Sequence, residues 1–110
     1  MGIENAGSSA PESWHRVADV AELADGALKP VVVAGNLIVL IRIGERYGAL
    51  DNQCPHAGGP LAEGTLEDGR LICPWHGREY NPLSGECEGY DQPVRAYKVE
   101  VRSDGIYVAL

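Results

Sequence analysis

The chain has 110 residues, a length that suits one domain and is too short for two. Its 45% hydrophobic and 23% charged residues are typical of a folded protein and exclude a disordered chain. The net charge of −7 repels phosphate backbones and so argues against nucleic acid as a partner. The same charge fits a partner with a positive docking face, or serves solubility alone.

The first twelve residues are polar and contain several Gly and Ser residues, which predicts a flexible tail over 1–12 and an ordered domain over 13–110. This tail has neither the basic nor the apolar region of a secretion signal, and the most apolar stretch, 31–43, is too short to cross a membrane as a helix. We therefore expect a cytoplasmic protein that binds no membrane. An odd number of cysteines, three, favours a metal or cluster site over a disulfide framework.

Most of the predicted elements are short β-strands separated by turn residues. The predicted strands cover residues 29–34, 37–43, 46–50, 97–102 and 106–110. The predicted turns are Gly35-Asn36, Gly44-Glu45 and Ser103-Asp104-Gly105. Short strands with frequent turns predict an all-β fold, a small antiparallel barrel or sandwich.

One long segment, about 52–90, interrupts the strand pattern. It is dense in Gly and Pro, and it holds all three cysteines and two of the three histidines. A segment of this length without recognisable strands inside a small domain is usually functional. We therefore expect it to form a loop-rich subdomain that carries the binding site.

The ligand pattern in this segment is C-x-H, then 16 residues, then C-x2-H. The residues are Cys54, His56, Cys73 and His76, so each half supplies one sulfur and one imidazole on a short turn. Two such turns facing each other fit a [2Fe–2S] core, with both thiolates on one iron and both imidazoles on the other. Structural zinc also accepts two Cys and two His, although its usual spacing does not mix the two types in each half.

The pattern resembles that of the Rieske ferredoxin family. The matching residues are Cys54-Pro55-His56-Ala57-Gly58 with Leu61, Cys73-Pro74-Trp75-His76-Gly77 with Tyr80, and the segment Gln92-Pro93-Val94-Arg95-Ala96-Tyr97. The resemblance implies a Rieske-type β-fold and one [2Fe–2S] cluster held by the four ligands named above. It also implies that a proline-bearing loop covers the cluster. The residues expected around the ligands are Gly58, Leu61, Trp75, Gly77, Arg78, Tyr80 and Pro93.

The resemblance also bears on the redox potential. In the respiratory-complex branch of the family a disulfide braces the loops, and a serine donates a hydrogen bond to a sulfide. Those positions are Gly59, Trp75 and Arg78 in this chain, although Tyr80 keeps a hydroxyl donor. Fewer hydrogen bonds to sulfur predict a midpoint near the low end of the range of roughly −150 to +300 mV. The two ligand histidines should also make the midpoint fall at alkaline pH.

The remaining candidates have simpler interpretations. His15, next to Trp14, is expected to be a surface residue and not a ligand. Cys87 is expected to be a small buried residue. Trp75 is expected to pack beside the cluster loop, with a role as an electron conduit as the alternative. Gly58, Gly59 and Gly77 are expected to let the loops turn tightly.

The resemblance implies a monomeric electron carrier that is not an enzyme by itself. It would pass electrons from a flavin-dependent NAD(P)H reductase to a terminal aromatic-ring oxygenase. Only one histidine remains outside the cluster motif, so a second, mononuclear iron site built from two histidines cannot be assembled. The chain also has no glycine-rich dinucleotide motif. The alternatives are a small Rieske subunit of a larger enzyme such as a nitrite reductase, a redox sensor that uses Cys87, or a zinc module.

Overall fold

The structure is a computed structural model that describes residues 13–54, 58–75, 77–87, 89 and 92–110. The predicted flexible tail, residues 1–12, lies outside the described residues. Within the described part of the chain, none of the helices is long and apolar enough to span a bilayer.

Ten short strands and two single-turn 3-10 helices make up the regular structure of the described residues. The strands are β1 (Trp14–Ala18), β2 (Leu28–Val33), β3 (Asn36–Ile43), β4 (Arg46–Asp51), β5 (Thr65–Glu67), β6 (Arg70–Ile72), β7 (Glu79–Tyr80), β8 (Ala96–Tyr97), β9 (Val99–Arg102) and β10 (Gly105–Ala109). The 3-10 helices are Val20–Glu22 and Leu61–Glu63.

The strands form three antiparallel sheets. We call them the outer sheet, in the order β1-β10-β9, the central sheet, in the order β2-β3-β4-β8, and the small sheet, in the order β5-β6-β7. Among the described residues none of these sheets closes on itself. The predicted all-β antiparallel fold is therefore confirmed, as packed sheets and not as a closed barrel.

Strand β3 explains how the layers pack. Its residues Ile38, Val39, Leu40 and Ile41 are all fully buried, because successive side chains point to opposite faces and both faces are covered. Ile38 and Leu40 face one core, whereas Val39 and Ile41 face another. Full burial of such side chains contributes about 1.5–3 kcal/mol each.

The buried side chains form two hydrophobic cores. The sheet core lies between the central and outer sheets; its buried members are Ala18, Leu23, Val33, Ile38, Leu40, Ala49, Tyr97, Ile106 and Val108. The loop core joins the central sheet to the predicted binding segment; its buried members are Val39, Ile41, Leu50, Cys54, Leu61, Leu71, Cys73, Tyr80, Cys87 and Val94. The binding segment is therefore built on a rigid sheet, and all three cysteines face inward.

The first hairpin forms as predicted, but its turn is displaced by one residue. Val33 pairs with Asn36, so the turn is Ala34-Gly35 and not Gly35-Asn36. Both turn residues have positive φ, 50° and 84°, as a two-residue type I′ turn requires. Asn36 lies in the strand instead, and its side-chain amide donates to the Val33 carbonyl oxygen at 3.4 Å.

The predicted strand 97–102 is broken in the structure. Ala96–Tyr97 pairs with the central sheet, whereas Val99–Arg102 pairs with the outer sheet. The chain therefore changes sheets at Lys98. Tyr97 is buried, but Val101 is 44% exposed.

The small sheet lies inside the segment that was predicted to be loop. Its first hairpin turns at Asp68-Gly69, where φ is 51° and 75°. Asp-Gly is among the strongest sequence signals for a type I′ turn, so this hairpin could have been predicted. Its strands of two or three residues are too short to show a period of two.

Candidate metal centre

The first cysteine loop, residues 54–59, is closed by two backbone hydrogen bonds between its ends. The Cys54 N–H donates to the Gly59 carbonyl oxygen at 2.9 Å, and the Gly58 N–H donates to the Cys54 carbonyl oxygen at 2.7 Å. Gly58 has a φ of 76°, a left-handed conformation that residues with a side chain rarely adopt. Glycine at this position therefore allows the loop to return to its starting point.

The second cysteine loop, residues 73–78, repeats this arrangement at the same spacing. The Cys73 N–H donates to the Arg78 carbonyl oxygen at 2.9 Å, and the Gly77 N–H donates to the Cys73 carbonyl oxygen at 3.1 Å. Gly77 has a φ of 73°, matching Gly58. Each loop thus begins at a cysteine, has a left-handed glycine at its fifth position and closes on the carbonyl of its sixth.

Both cysteines that begin these loops are buried. Cys54 and Cys73 are each 1% exposed, and neither forms a disulfide. A single buried thiol usually behaves as a small hydrophobic group. Two of them at equivalent positions of two matched loops are better explained as a pair of metal ligands.

Tyr80, on β7, contacts the first of these thiols. Its side chain is fully buried, and its Oη lies 3.0 Å from Cys54 Sγ. Burial raises the pKa of the Tyr80 phenol well above its ordinary value, and the hydrogen bond with Cys54 adds to this effect. The phenol therefore keeps its proton at neutral pH and can donate a hydrogen bond to a thiolate at Cys54.

Trp75, in the second cysteine loop, packs against the first. A Cβ atom placed on Gly59 would lie 3.1 Å from the Trp75 ring and 3.2 Å from Cys73 Sγ. The indole is nevertheless 58% exposed, so it lies at the surface beside both loops. This contact leaves little space for a side chain at Gly59.

The predicted proline-bearing loop is tied to the second cysteine loop and to the chain after β7. Arg78 donates from Nη1 to Gln92 Oε1 at 2.7 Å. The Val94 N–H donates to the Gly85 carbonyl oxygen at 2.9 Å, and Val94 is buried in the loop core. Pro93 itself is exposed. The loop therefore lies next to the cysteine loops with its proline at the surface.

Asn52 supports the first cysteine loop, although the sequence analysis did not single it out. This residue is only 8% exposed, and its Oδ1 accepts a hydrogen bond from the Ala62 N–H at 2.7 Å. Its carbonyl oxygen accepts another from the Leu61 N–H at 2.6 Å. A polar residue two positions before Cys54 was the available signal, but such residues are common in exposed loops.

The structure brings together most of the predicted site residues that it describes. The two cysteine loops touch through Gly59 and Trp75, and Leu61 is fully buried beneath them. His56 and His76 lie outside the described residues. His15 is on β1, where it pairs with Val108 in the outer sheet. It therefore belongs to a different sheet from those joined to the cysteine loops.

These observations fit an iron–sulfur group. Soft thiolate ligands select iron–sulfur clusters, zinc or copper(I). The buried Tyr80 hydroxyl at Cys54 Sγ is suited to stabilising an anionic sulfur. The fold and the site thus define a class: a small antiparallel β-protein with a cysteine-based metal centre on paired loops.

The comparison with protein families identifies that class further. Residues 13–102 match the Rieske [2Fe–2S] domain, so the chain belongs to the Rieske [2Fe–2S] domain family. Members carry one [2Fe–2S] cluster with two Cys and two His ligands, and this chain therefore does so as well. The structural zinc alternative is set aside by this result.

Two curated relatives show the range of proteins in which the domain occurs. The chain is 31% identical over 94 residues to human apoptosis-inducing factor 3, a match that covers 84% of this chain and 16% of that protein. It thus spans about a sixth of the length of that relative. It is 29% identical over 102 residues to the ferredoxin CarAc of Metapseudomonas resinovorans, covering 87% of this chain and 92% of that one.

Solved structures agree with the second of these matches. The ferredoxin of carbazole 1,9a-dioxygenase from Nocardioides aromaticivorans IC177 superimposes with a TM-score of 0.81 at 29% identity, covering 87% of this chain and 96% of that one. A ferredoxin in complex with the oxygenase of carbazole 1,9a-dioxygenase superimposes with a TM-score of 0.79 at 28% identity, with coverages of 87% and 92%.

Proposed function

We propose that the chain is a one-electron carrier whose [2Fe–2S] cluster is held by Cys54, His56, Cys73 and His76. The observation that carries this proposal is the pair of matched loops, each of which begins at a buried cysteine that forms no disulfide. His56 and His76 each fall within one of these loops in the sequence. No other cysteine and histidine in the chain share a short segment in this way.

The protein residues would divide the tasks at the site. When bound, the cluster supplies a centre that accepts and releases a single electron. Cys54 and Cys73 would hold it from the buried side, each adding one negative charge, whereas neutral imidazoles add none. Pro74, Trp75 and Pro93 are exposed, so the outer ends of the second loop and the proline loop lie at the surface. Partners can therefore approach this end of the domain.

The partners we propose are a flavin-dependent NAD(P)H reductase as donor and a terminal aromatic-ring oxygenase as acceptor. Support comes from the similarity to ferredoxin components of dioxygenase systems. The matches cover 87% of this chain and more than 90% of each ferredoxin. The related ferredoxin solved in complex with its oxygenase shows that such a domain can dock to an acceptor protein. We propose a monomer that works in the cytoplasm, meeting each partner briefly.

A second candidate is a Rieske unit held permanently in a larger redox enzyme. The match to a sixth of apoptosis-inducing factor 3 favours it, because there the domain is part of a much longer protein. Gel filtration of a native extract separates the candidates. A free carrier elutes as a species near 11.8 kDa, whereas a permanent subunit elutes with its complex.

The ligand assignment is tested by replacing each histidine with serine in turn. His56→Ser and His76→Ser should lose the visible absorbance and the spin-resonance signal of the reduced cluster. His15→Ser is the matched control and should keep both, because His15 lies in the outer sheet. Retention of a normal cluster by His56→Ser or His76→Ser would refute the assignment.

A further inference from the structure

The first end of the proline-bearing loop, residues 92–95, is held to the second cysteine loop by two side chains. Arg78 Nη1 donates to Gln92 Oε1 at 2.7 Å, a short distance that is typical of a hydrogen bond with a charged donor. Arg78 also closes the second cysteine loop, because its carbonyl oxygen accepts a hydrogen bond from the Cys73 N–H at 2.9 Å. One residue therefore links the position of Gln92 to that of Cys73.

The rest of the proline-bearing loop is held through its backbone. The Val94 N–H donates to the Gly85 carbonyl oxygen at 2.9 Å. The Arg95 carbonyl oxygen accepts a hydrogen bond at 2.9 Å from the N–H of Asp51, three residues before the first cysteine loop. The loop thus connects the two cysteine loops. Its backbone ties do not depend on which side chain stands at position 92, whereas its tie to Arg78 does.

The tie between Arg78 and Gln92 lies near the surface. Arg78 is half-buried and Gln92 is exposed. A polar contact of this kind contributes little to the stability of a whole domain. Loops, however, open locally at a much lower free energy than the whole domain unfolds, so a modest contact can control such an opening. Pro93 follows Gln92 directly and has a fixed φ, so holding Gln92 also holds the proline.

We propose that Arg78 is a positioning residue that acts through Gln92 to keep the proline-bearing loop closed against the second cysteine loop, and thereby limits the access of small molecules to the cluster. This inference rests on the proposed function, because it requires a cluster held by the two cysteine loops. Loss of the hydrogen bond should let this end of the loop open while both hydrophobic cores stay packed. The cluster then becomes easier to reach from solution.

A purely structural role for the pair makes a different prediction. If Arg78 and Gln92 only stabilised the domain, the cluster would be lost through global unfolding, and any equally destabilising substitution would speed its loss. Gly26→Ala provides this comparison. Gly26 has a φ of 79°, and nothing lies within 4 Å of its Cβ position, so alanine there strains the backbone without creating a clash. Gly26 lies just before β2, outside the proline-bearing loop and both cysteine loops.

The experiment measures how fast the anaerobic, dithionite-reduced holoprotein releases iron(II) to bipyridine, an uncharged chelator whose iron complex is coloured. We expect Arg78→Met and Gln92→Met each to speed release about two- to fivefold, the effect of one lost hydrogen bond. The double variant should be no faster than either single one. Gln92→Glu keeps the acceptor oxygen and should release iron no faster than the wild type. Gly26→Ala should unfold at lower urea concentration but release iron at the wild-type rate.

Four results would overturn the inference. They are a wild-type release rate in Gln92→Met, effects of Arg78→Met and Gln92→Met that multiply in the double variant, a Gln92→Glu variant as fast as Gln92→Met, and a Gly26→Ala variant as fast as Gln92→Met. If Arg78→Met does not fold, the two Gln92 variants and Gly26→Ala carry the comparison. Failure of the proposed function looks different, because the wild-type protein would then hold no iron for the chelator to take.

Discussion

The Tyr80 hydroxyl is the polar group that most directly contacts a proposed ligand, with its Oη 3.0 Å from Cys54 Sγ. Tyr80→Phe removes this donor and should destabilise the more negative, reduced state. We expect the midpoint potential to fall by roughly 50 mV, which corresponds to about 1 kcal/mol for a one-electron couple. Protein-film voltammetry measures the shift.

Tyr97→Phe is the matched control for this prediction. Tyr97 is also a buried tyrosine with a hydrogen-bonded hydroxyl, but it lies in the sheet core and donates to Asp51 Oδ1 at 2.5 Å. Removal of the Tyr97 hydroxyl should leave the midpoint potential unchanged. A similar fall in both variants, or no fall in Tyr80→Phe, would show that the hydroxyl at Cys54 does not tune the potential.

Tyr97 also predicts a loss of stability at alkaline pH. Burial, followed by the hydrogen bond to Asp51, raises the pKa of Tyr97 from 10.0 to about 12. The folded state then holds a proton that the unfolded state releases, so stability is complete below about pH 10 and falls as the pH rises toward 12. The free energy of unfolding should decrease by about 2–3 kcal/mol across this pH range.

Urea unfolding at pH 8 and pH 11 measures this dependence. The wild-type protein should lose more stability between the two pH values than Tyr97→Phe does, because the variant has no phenol at that position. Equal losses in both proteins would mean that Tyr97 titrates normally in the folded state.

At the residue scale, the sequence predicted those site residues that can be recognised from the spacing of their near neighbours. Cys54 and Cys73 are identified by a motif within a few residues of each, and the glycines that close their loops were expected. Contacts between distant segments were not predictable in this way. The isolated backbone bridge that pairs Cys87 with Tyr80 joins two separate segments, and the support from Asn52 depends on the 3-10 helix that follows.

Among the elements, the proline-bearing loop depends on a close backbone approach at Gly85. A Cβ at this position would lie 2.1 Å from the Val94 carbonyl oxygen, and Gly85 has a φ of 81°. Gly85→Ala should therefore destabilise the protein by more than about 2 kcal/mol, since a backbone clash adds to the cost of the left-handed conformation. Urea unfolding at neutral pH measures the loss.

Gly26→Ala separates these two contributions. Gly26 has nearly the same φ, 79°, but nothing lies within 4 Å of its Cβ position. The Gly26→Ala variant should lose only about 1 kcal/mol of unfolding free energy, which is the cost of the left-handed conformation alone. If the two alanine variants lost the same amount, close contact between Gly85 and Val94 would not contribute to stability.

Local sequence patterns predicted six of the ten described strands, and turn chemistry explains the error in register at the first hairpin. The hairpin between β2 and β3 was expected from its Val-rich run and its Gly-containing turn, but the predicted turn Gly35-Asn36 was wrong by one residue, because the structure turns at Ala34-Gly35. The break at Lys98 could not be expected, because it reflects pairing of the chain with two different sheets.

At the scale of the whole molecule, the net charge of −7 predicts how electron transfer responds to salt. Attraction to a positive docking face speeds encounter, and salt screens it, since the Debye length falls from about 10 Å at 0.1 M to 3 Å at 1 M. We expect the rate of reduction by a partner reductase to decrease across this range in stopped-flow measurements.

Reduction by a small uncharged reductant provides the control. Its rate should change little with salt, because no charged faces meet. A partner rate that stayed constant from 0.1 to 1 M salt would leave the acidic surface with a role in solubility alone.

The layered architecture was predictable only in outline. Short strands and frequent turns indicated an antiparallel barrel or sandwich, but the choice between the two depends on long-range strand pairing. Four consecutive residues of β3 are buried, which shows that the central sheet has a hydrophobic core on each face. The cysteine loops pack against one of these cores.

The most direct test of the ligand assignment is spin resonance of the dithionite-reduced protein labelled with 15N-histidine. We predict the signal of a reduced [2Fe–2S] cluster with strong hyperfine coupling to two histidine nitrogens, and the loss of this signal in His56→Ser and in His76→Ser. A colourless, iron-free protein, or a cluster signal without histidine nitrogen coupling, would contradict the account.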